Sequence, residues 1–257
     1  EKTVVINNIN KLNMLTVRPT IVDPDIVKIL ITTTFQYNKN VTQLSEGELE
    51  TLVSNAIMDY DKNNLANFDA ILRHSKLIQA IDNADDSILS NTTNIRLRKK
   101  LKPTISLEKG YTVAMGNTLY NPHSGHNAMS GGITSTTGFK VQGDSVNTFF
   151  FDDDGNGNLR RYYLSGSTRV YSDSSAGTVD YSSGKISIGA ITITSTVNND
   201  ASIDFTVIPN SNDVVATRGS LIDISLSDIK VNGVIDTIAS GESSAGVGYT
   251  STSTSSY

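Results

Sequence analysis

An oxygen-rich loop is the clearest candidate for chemistry in this sequence. Residues 152–158 read DDDGNGN, so carboxylate and amide oxygens stand beside glycines that permit a sharp bend. Calcium is bound by oxygens of this kind, but an EF-hand loop counted from Asp152 would need a glutamate where this sequence has Tyr163. Asp-Gly and Asn-Gly also supply the positive φ values of a tight hairpin turn. We therefore expect a turn that binds no metal.

The histidines offer a weaker case for a metal site. His123 and His126 lie in a loop rich in Gly, Ser and Asn, and His74 lies far from them in the chain. Zinc sites use at least three protein ligands, and the sequence contains no cysteine to add to this pair. We expect a polar surface loop at His123 and His126, and a position for His74 on a helix surface or partly packed.

No catalytic motif is present in the sequence. It lacks the Gly-x-Ser-x-Gly elbow, the phosphate-binding loop and the dinucleotide fingerprint, because Gly110, Gly116 and Gly125 do not fall into those spacings. No two acidic residues are singled out as a general acid and base, although carboxylate pairs leave little trace in a sequence. We predict that the protein is not an enzyme and has no cofactor.

One basic cluster interrupts an otherwise acidic chain. It consists of Arg96, Arg98, Lys99, Lys100 and Lys102. Such a cluster could bind phosphate or an acidic partner surface, but all its members except Lys99 alternate as on the solvated face of a strand. On an edge strand, these charges would also discourage unwanted pairing.

Charge and hydropathy exclude two broad classes of partner. The net charge of −5 and the pI near 5.2 argue against a general affinity for nucleic acid, which requires a basic footprint. No segment approaches the roughly 20 apolar residues of a membrane span, and no signal-peptide pattern is present. The chain begins with Glu1 rather than Met, which indicates a fragment of a longer protein or a processed one.

The first half of the chain alternates strand and helix patterns. Apolar residues recur at every second position from Val27 to Phe35, whereas Leu49 to Tyr60 follow the spacing of one helical face after a Ser45-x-x-Glu48 capping box. The predicted elements are a strand over Ile26–Tyr37, a helix from Ser45 to Asn64, a helix over Phe68–Asp82 and a strand over Ile88–Leu101. Two strands covered by two helices form a compact α+β unit.

The second half shows only strand patterns, which are separated by Gly, Ser, Thr, Asn and Asp. Their spacing fits a sandwich or a barrel-like sheet. The predicted strands are Thr137–Val141, Asn147–Asp152, Leu159–Ser165, Thr168–Tyr171, Lys185–Ser195, Ser202–Pro209 and Ser220–Val231.

These patterns define the fold class and the domain organisation. We predict an α+β protein in which an N-terminal strand-helix-helix-strand module is followed by an all-β, sandwich-like module. Residues 1–18 form a connecting segment, 19–106 the α+β module, 107–238 the β-rich domain and 239–257 a C-terminal arm.

The arm is rich in Gly, Ser and Thr and contains almost no aliphatic residues. Alone it cannot bury enough surface to offset its ordering entropy. It is therefore either disordered or ordered by a neighbouring subunit, and in the second case Tyr249 and Tyr257 are the candidate interface residues.

Six short segments of the sequence form a familiar series. They are Val17–Pro24 (VRPTIVDP), Leu44–Leu49 (LSEGEL), Arg73–Asp82 (RHSKLIQAID), Ile88–Thr93 (ILSNTT), Phe151–Gly157 (FDDDGNG) and Tyr249–Tyr257 (YTSTSTSSY). In this order they resemble the baseplate wedge family of T-even-type phages and, more loosely, the baseplate J-like proteins. The resemblance covers most of the chain from about Val17, and its segments are structural rather than catalytic.

The resemblance implies a structural subunit of a contractile-tail baseplate. Such a protein forms an inner ring around the central hub as homodimers, contacts other wedge proteins, and is found in the virion after assembly in the host cytoplasm. The alternative is a β-rich module that binds carbohydrate or a receptor. Sugar sites usually use exposed aromatic platforms, and a chain with no Trp and 7% aromatic residues disfavours that alternative without removing tyrosine-based sites.

Overall fold

The structure is a computed structural model that describes residues 2–12, 24–121, 131–217 and 219–241. Its helices are α1 (Lys2–Leu12), α2 (Glu46–Asn64) and α3 (His74–Asp82), and a short 3-10 turn covers Leu226–Asp228. Its strands are β1 (Asp25–Tyr37), β2 (Ile71–Leu72), β3 (Ile88–Leu101), β4 (Glu108–Ala114), β5 (Ile133–Thr136), β6 (Phe139–Val141), β7 (Asp144–Asp153), β8 (Asn158–Ser165), β9 (Thr168–Asp180), β10 (Lys185–Thr196), β11 (Ile203–Val207), β12 (Val214–Val215), β13 (Ser220–Asp223) and β14 (Ile229–Ile235).

A six-stranded sheet, the first sheet, is built around β1 and β3. Five of its strands follow the order β13, β1, β3, β11 and β5, and β14 also pairs with β1. Both β13 and β14 run parallel to β1, the former beside Asp25–Lys28 and the latter beside Ile31–Tyr37. They therefore lie end to end along one edge of β1, while β3 lies antiparallel at the other edge.

Helices α2 and α3 cover one face of the first sheet. The odd-numbered residues of β1, such as Ile29 and Phe35, point to this face and are buried, because successive side chains of a strand alternate between faces. Helix α2 lies against β14 and α3, and α3 lies against β3. Leu49 of α2 and Leu77 of α3 are fully buried there, so this face holds the first part of the core.

The predicted capping box forms at the start of α2. The backbone amide of Ser45 donates a hydrogen bond to Glu48 Oε2 at 2.8 Å, and its hydroxyl donates to the same oxygen at 2.7 Å. These bonds from Ser45 lower the pKa of Glu48. They also fix the first turn of the helix, because amides there have no partner within the helix.

The second sheet closes on itself. Its strands follow the order β4, β10, β6, β7, β8 and β9, and β9 pairs in addition with β10. The five strands from β6 to β10 thus form a ring of pairings, and β4 is added along β10. This ring is the barrel-like form of the predicted β-rich half.

The two sheets share one hydrophobic core. The ring of Phe151, on β7, stacks on Phe139 at a centroid distance of 4.7 Å and on Phe205 at 5.8 Å. Phe205 belongs to β11 of the first sheet, and all three rings are fully buried. Burial of apolar surface across this contact holds the two sheets directly against each other.

The α+β fold class is confirmed, and each predicted strand of the second half overlaps an observed strand. The strand predicted over Ile88–Leu101 has those bounds. The strand predicted over Ser220–Val231 is instead two strands, β13 and β14, separated by the 3-10 turn. This turn carries the chain from the first part of the β1 edge to the second.

The second helix begins later than predicted. The sequence pattern predicted a helix from Phe68, but α3 begins at His74, and Asp69 has a positive φ of 59°. Strand β2 occupies part of the intervening segment because it pairs with β12. The backbone amide of His74 also donates a hydrogen bond to Asp213 Oδ1 at 2.9 Å. A tertiary contact therefore overrides the local helical spacing.

Five of the observed helices and strands were not predicted. Helix α1 lies in the segment 1–18 that was expected to connect, and β2 lies within the segment predicted as the second helix. Strands β4, β5 and β12 are not among the predicted strands. Strand β3 is central, between β1 and β11, so its basic residues do not protect a sheet edge. The first sheet takes β5, β11, β13 and β14 from residues assigned to the β-rich domain, whereas the domain bounds themselves stay a prediction.

Candidate interaction surfaces

The Asp152–Asn158 loop connects β7 and β8 as the predicted hairpin. Asp154 closes the turn: its Oδ1 accepts hydrogen bonds from the amides of Asn156 and Asn158, and its Oδ2 accepts one from Asn158 Nδ2 at 2.7 Å. Burial raises the pKa of Asp154, but these bonds outweigh it and lower the pKa overall. Gly155 and Gly157 have the positive φ values that the turn requires.

The two carboxylates before this turn, Asp152 and Asp153, accept hydrogen bonds from residues outside it. Asp152 accepts hydrogen bonds from Arg160 Nε at 2.9 Å, from Arg169 Nη1 at 2.8 Å and from the hydroxyl of Tyr171 at 3.0 Å. The hydrogen bonds of Asp152 are therefore separate from those that Asp154 accepts within the turn. Among the residues that the structure describes, no group of three or more His, Asp or Glu side chains is arranged to hold a metal ion.

Asp153 lies between Asp152 and Asp154 in the chain, and it is fully buried. It accepts hydrogen bonds from the hydroxyl of Tyr181 at 2.6 Å and from the amides of Ile133 and Gly132 at 2.9 and 3.1 Å. Burial raises the pKa of Asp153, and these three bonds only partly oppose it. The contact ties β7 of the second sheet to the start of β5 in the first.

The basic cluster on β3 divides into buried and exposed members. Lys99 points into the protein, where it pairs with Asp25 and donates a hydrogen bond to the carbonyl oxygen of Ala114. Lys100 pairs with Asp200 at 2.6 Å, and this hydrogen bond raises the pKa of Lys100. The expected solvated face is therefore partly neutralised by ion pairs.

The opposite side of the first sheet from α2 and α3 carries a groove of about 460 Å³, here called the polar groove. Its lining comes from β1, β3, β14 and the segments next to β11 and β14. The lining residues are Leu30, Thr32, Asn94, Ile95, Arg96, Arg98, Ile208, Ser227, Asp228 and Lys230. Two members of the predicted basic cluster, Arg96 and Arg98, thus meet residues from the far end of the chain.

An aromatic cluster with two arginines lies on β7, β8 and β9 of the second sheet. Phe150 stacks on Tyr162 at a centroid distance of 5.6 Å, Arg169 lies 4.7 Å from the ring of Tyr162, and Arg160 lies 4.4 Å from the ring of Tyr171. Tyr171 is 39% exposed. This cluster was not predicted from the sequence, although its members on β8 and on β9 occupy alternate positions.

Of the interface tyrosines and the histidines singled out from the sequence, only His74 lies within the described residues. Tyr249, Tyr257, His123 and His126 lie outside the described residues. His74 begins α3, and its Nε2 lies 3.0 Å from the carbonyl oxygen of Thr93, which agrees with the expected partly packed position.

The described beginning of the C-terminal arm is attached to the first sheet. Asn38 Nδ2 donates a hydrogen bond to the carbonyl oxygen of Ala239 at 3.0 Å, and Asn40 Nδ2 donates one to that of Ser240 at 2.9 Å. Asn38 follows β1 directly, and Asn40 lies two residues further along the chain. The arm therefore leaves the described structure beside the end of β1.

Comparison with known proteins gives one family match. Residues 25–100 match the family model of the baseplate structural protein gp6, C-terminal domain III. This segment runs from β1 to β3 and contains α2, β2 and α3, but it is less than a third of the chain. No curated protein matches the chain significantly.

The match shows that residues 25–100 are similar to a domain of a phage baseplate structural protein. A structural family of this kind also suggests a non-enzymatic role. Within the described ranges, no helix has the length and apolar character needed to cross a bilayer.

Proposed function

We propose that this chain is a structural component of a baseplate wedge in a contractile phage tail. In this proposal it contributes to a ring around the central hub through homodimer and wedge-protein contacts, and it is assembled in the host cytoplasm. The observation that carries the proposal is the family match over 25–100, which coincides with β1, both helices on the sheet and β3. Neither nucleic acid nor a membrane is a partner.

The place of the chain in the particle is tested by electron cryomicroscopy of intact virions. We expect density for the first sheet and the closed second sheet within the inner baseplate, in contact with neighbouring wedge subunits. Density in the fibres, the tube or the head, or no density in the particle, would contradict the proposal.

We infer that the chain forms a symmetric homodimer without other proteins, because closed two-fold contacts are the commonest form of self-association. The β-rich half is the proposed surface, with the arm laid along a neighbouring sheet edge so that Tyr249 and Tyr257 become buried. Backbone pairing at an edge would offset the arm's ordering entropy. The start of the arm is held beside the C-terminal end of β1 by the hydrogen bonds to the carbonyl oxygens of Ala239 and Ser240.

Light scattering coupled to size exclusion tests the dimer. We expect a mass of twice the 27.6 kDa of the chain, whereas the monomer mass at tens of micromolar would refute dimerisation. Truncation after Ile238 distinguishes dimerisation itself from the role of the arm in the dimer. A dimer that survives the truncation refutes only the role of the arm, because the interface then lies elsewhere.

The aromatic cluster supports the alternative of a carbohydrate- or receptor-binding module. Tyr171 presents an exposed ring beside Arg160 and Arg169, and aromatic faces are common platforms in binding sites. A glycan array distinguishes the alternatives. Specific glycan binding that is lost in Tyr171→Ala would favour the binding module over the purely structural role.

A further inference from the structure

The polar groove lies on the one face of the first sheet that α2 and α3 do not cover. Partnered residues of neighbouring strands point to the same face, and Leu30 is partnered with Arg96 while Thr32 is partnered with both Asn94 and Lys230. Side chains from β3, β1 and β14 thus form one continuous surface. Its floor combines apolar, hydroxyl and charged groups rather than a purely apolar patch.

Two cations of the groove have no partner among the described residues. The side chains of Arg96 and Lys230 are exposed and form no ion pair or hydrogen bond there. They lie on opposite sides of β1, where Arg96 is partnered with Leu30 and Lys230 with Thr32. Two strand spacings and a two-residue offset therefore separate their backbones by about 12 Å. By contrast, Lys28 on the same face is already paired with Asp223.

A third cation is paired but not fully satisfied. Arg98 forms an ion pair with Asp228, whose side chain is only 3% exposed, and its Nε lies 4.0 Å from Asp204 Oδ2. Within the described structure, Arg98 Nε, Asp228 Oδ2 and Asp204 Oδ1 are buried and lack hydrogen-bond partners. Because buried polar atoms are nearly always hydrogen-bonded, this cluster can accept further polar contacts from water or from a docking chain.

We propose that the polar groove is a docking site for an acidic segment of another protein, with a carboxylate held between Arg96 and Lys230. The lining carries three cations and the single carboxylate of Asp228, so its local charge is positive although the whole chain has a net charge of −5. A carboxylate-bearing segment is complementary in charge, and its backbone and amide groups suit the threonine and asparagine on the floor.

The composition of the groove favours a protein over a nucleic acid. Nucleic-acid binding is driven by continuous basic surfaces, whereas here Asp228 and the neighbouring Asp204 lie beside the cations. The identity of the partner as another baseplate subunit rests on the proposed function, but the binding chemistry of the groove does not.

Fluorescence anisotropy with a short labelled polyglutamate peptide tests the groove on the purified chain at low salt. We expect binding that the double variant Arg96→Ala/Lys230→Ala weakens at least about tenfold, because two desolvated charge contacts are lost. The matched control is Lys62→Ala/Lys185→Ala, which removes the same charge from α2 and from β10. Its dissociation constant should stay within about twofold of the wild type.

Three binding results overturn the inference. The first is no detectable binding of the peptide, and the second is equal weakening of peptide binding by the two double variants. The third is that Arg96→Ala/Lys230→Ala weakens binding of a single-stranded oligothymidylate as much as binding of the peptide, which would indicate a general polyanion site. Loss of the dimer in Arg96→Ala/Lys230→Ala would make a second copy of the chain the occupant and would also overturn it. Since all these assays use the isolated chain, their failure leaves the baseplate location to be decided separately by virion imaging.

Discussion

Replacing Asp153 by asparagine should weaken the junction between the two sheets. The carboxylate is fully buried and accepts three hydrogen bonds through two oxygens, from Gly132, Ile133 and Tyr181. Asparagine keeps one acceptor oxygen and replaces the other with an amine that cannot accept. The tyrosine hydroxyl can reorient, but at least one buried backbone amide loses its acceptor.

The expected loss in free energy of unfolding is about 1–3 kcal/mol, which is the cost of leaving one buried donor unsatisfied. Asp59→Asn is the matched control, because Asp59 is exposed on α2 and the substitution removes the same charge. Its effect should stay within about 0.5 kcal/mol. Urea titration followed by circular dichroism measures both values.

The loss in free energy of unfolding caused by Asp153→Asn should depend on pH. Burial raises the pKa of Asp153 in the folded protein, so the folded state binds this proton more readily than the unfolded chain does. The stability from this group is fully present below the unfolded pKa of about 3.9 and declines as the pH rises through the folded value. The difference between wild type and Asp153→Asn should therefore be larger at about pH 4 than at about pH 7.

A second substitution tests whether the contact itself is responsible. A Cβ at Gly131 would lie 1.5 Å from Asp153 Oδ2, so Gly131→Ala must displace the carboxylate from the same contact. Combined with Asp153→Asn, its effect should be clearly less than additive, because both changes break one interaction. Full additivity, or a loss no larger than that of Asp59→Asn, would refute the reasoning.

Three further predictions concern local contacts. Ser45→Ala should lower the free energy of unfolding by about 1 kcal/mol in urea titration, because it removes the hydroxyl of the capping box. Gly177→Ala should open the pairing of β9 with β10, since its Cβ would lie 2.0 Å from the carbonyl oxygen of Ser187; unchanged amide exchange in β10 would contradict this. Hydrogen bonds from Lys100 and a serine hydroxyl lower the pKa of Asp200 to about 2, so their stabilisation is present above about pH 4 and lost as the pH falls towards about 2. Lys100→Gln should raise this pKa in an NMR titration, and an unchanged pKa would argue against the ion pair.

Local periodicity was sufficient to predict the elements that bury one clear face. The alternation from Val27 to Phe35 and the capped helical spacing after Ser45 each specify both an element and its buried side. The Asp-Gly and Asn-Gly pairs likewise specified the hairpin between β7 and β8. In these segments, short-range sequence and final structure agree because tertiary packing reinforces the local preference.

Elements stabilised mainly by distant partners could not be predicted in this way. Strand β4 has a mostly exposed sequence and is a strand because it pairs with β10. The segment before His74 carries a helical pattern but is held by β12 and Asp213. The polar groove was equally inaccessible, because Arg96 and Lys230 are far apart in the chain and meet only through the parallel pairing of β14 with β1.

The topology also explains why a match to residues 25–100 describes part of a unit and not a whole one. That segment supplies β1 and β3, but β13 and β14 complete one edge of β1, and β11 completes the free edge of β3. Helix α2 lies against β14, so even the covered face needs the distant strand. Strand β11 in turn carries Phe205 to the core of the second sheet. A contact made in the polar groove therefore involves strands of the matched segment together with residues from near the C-terminal end of the described chain.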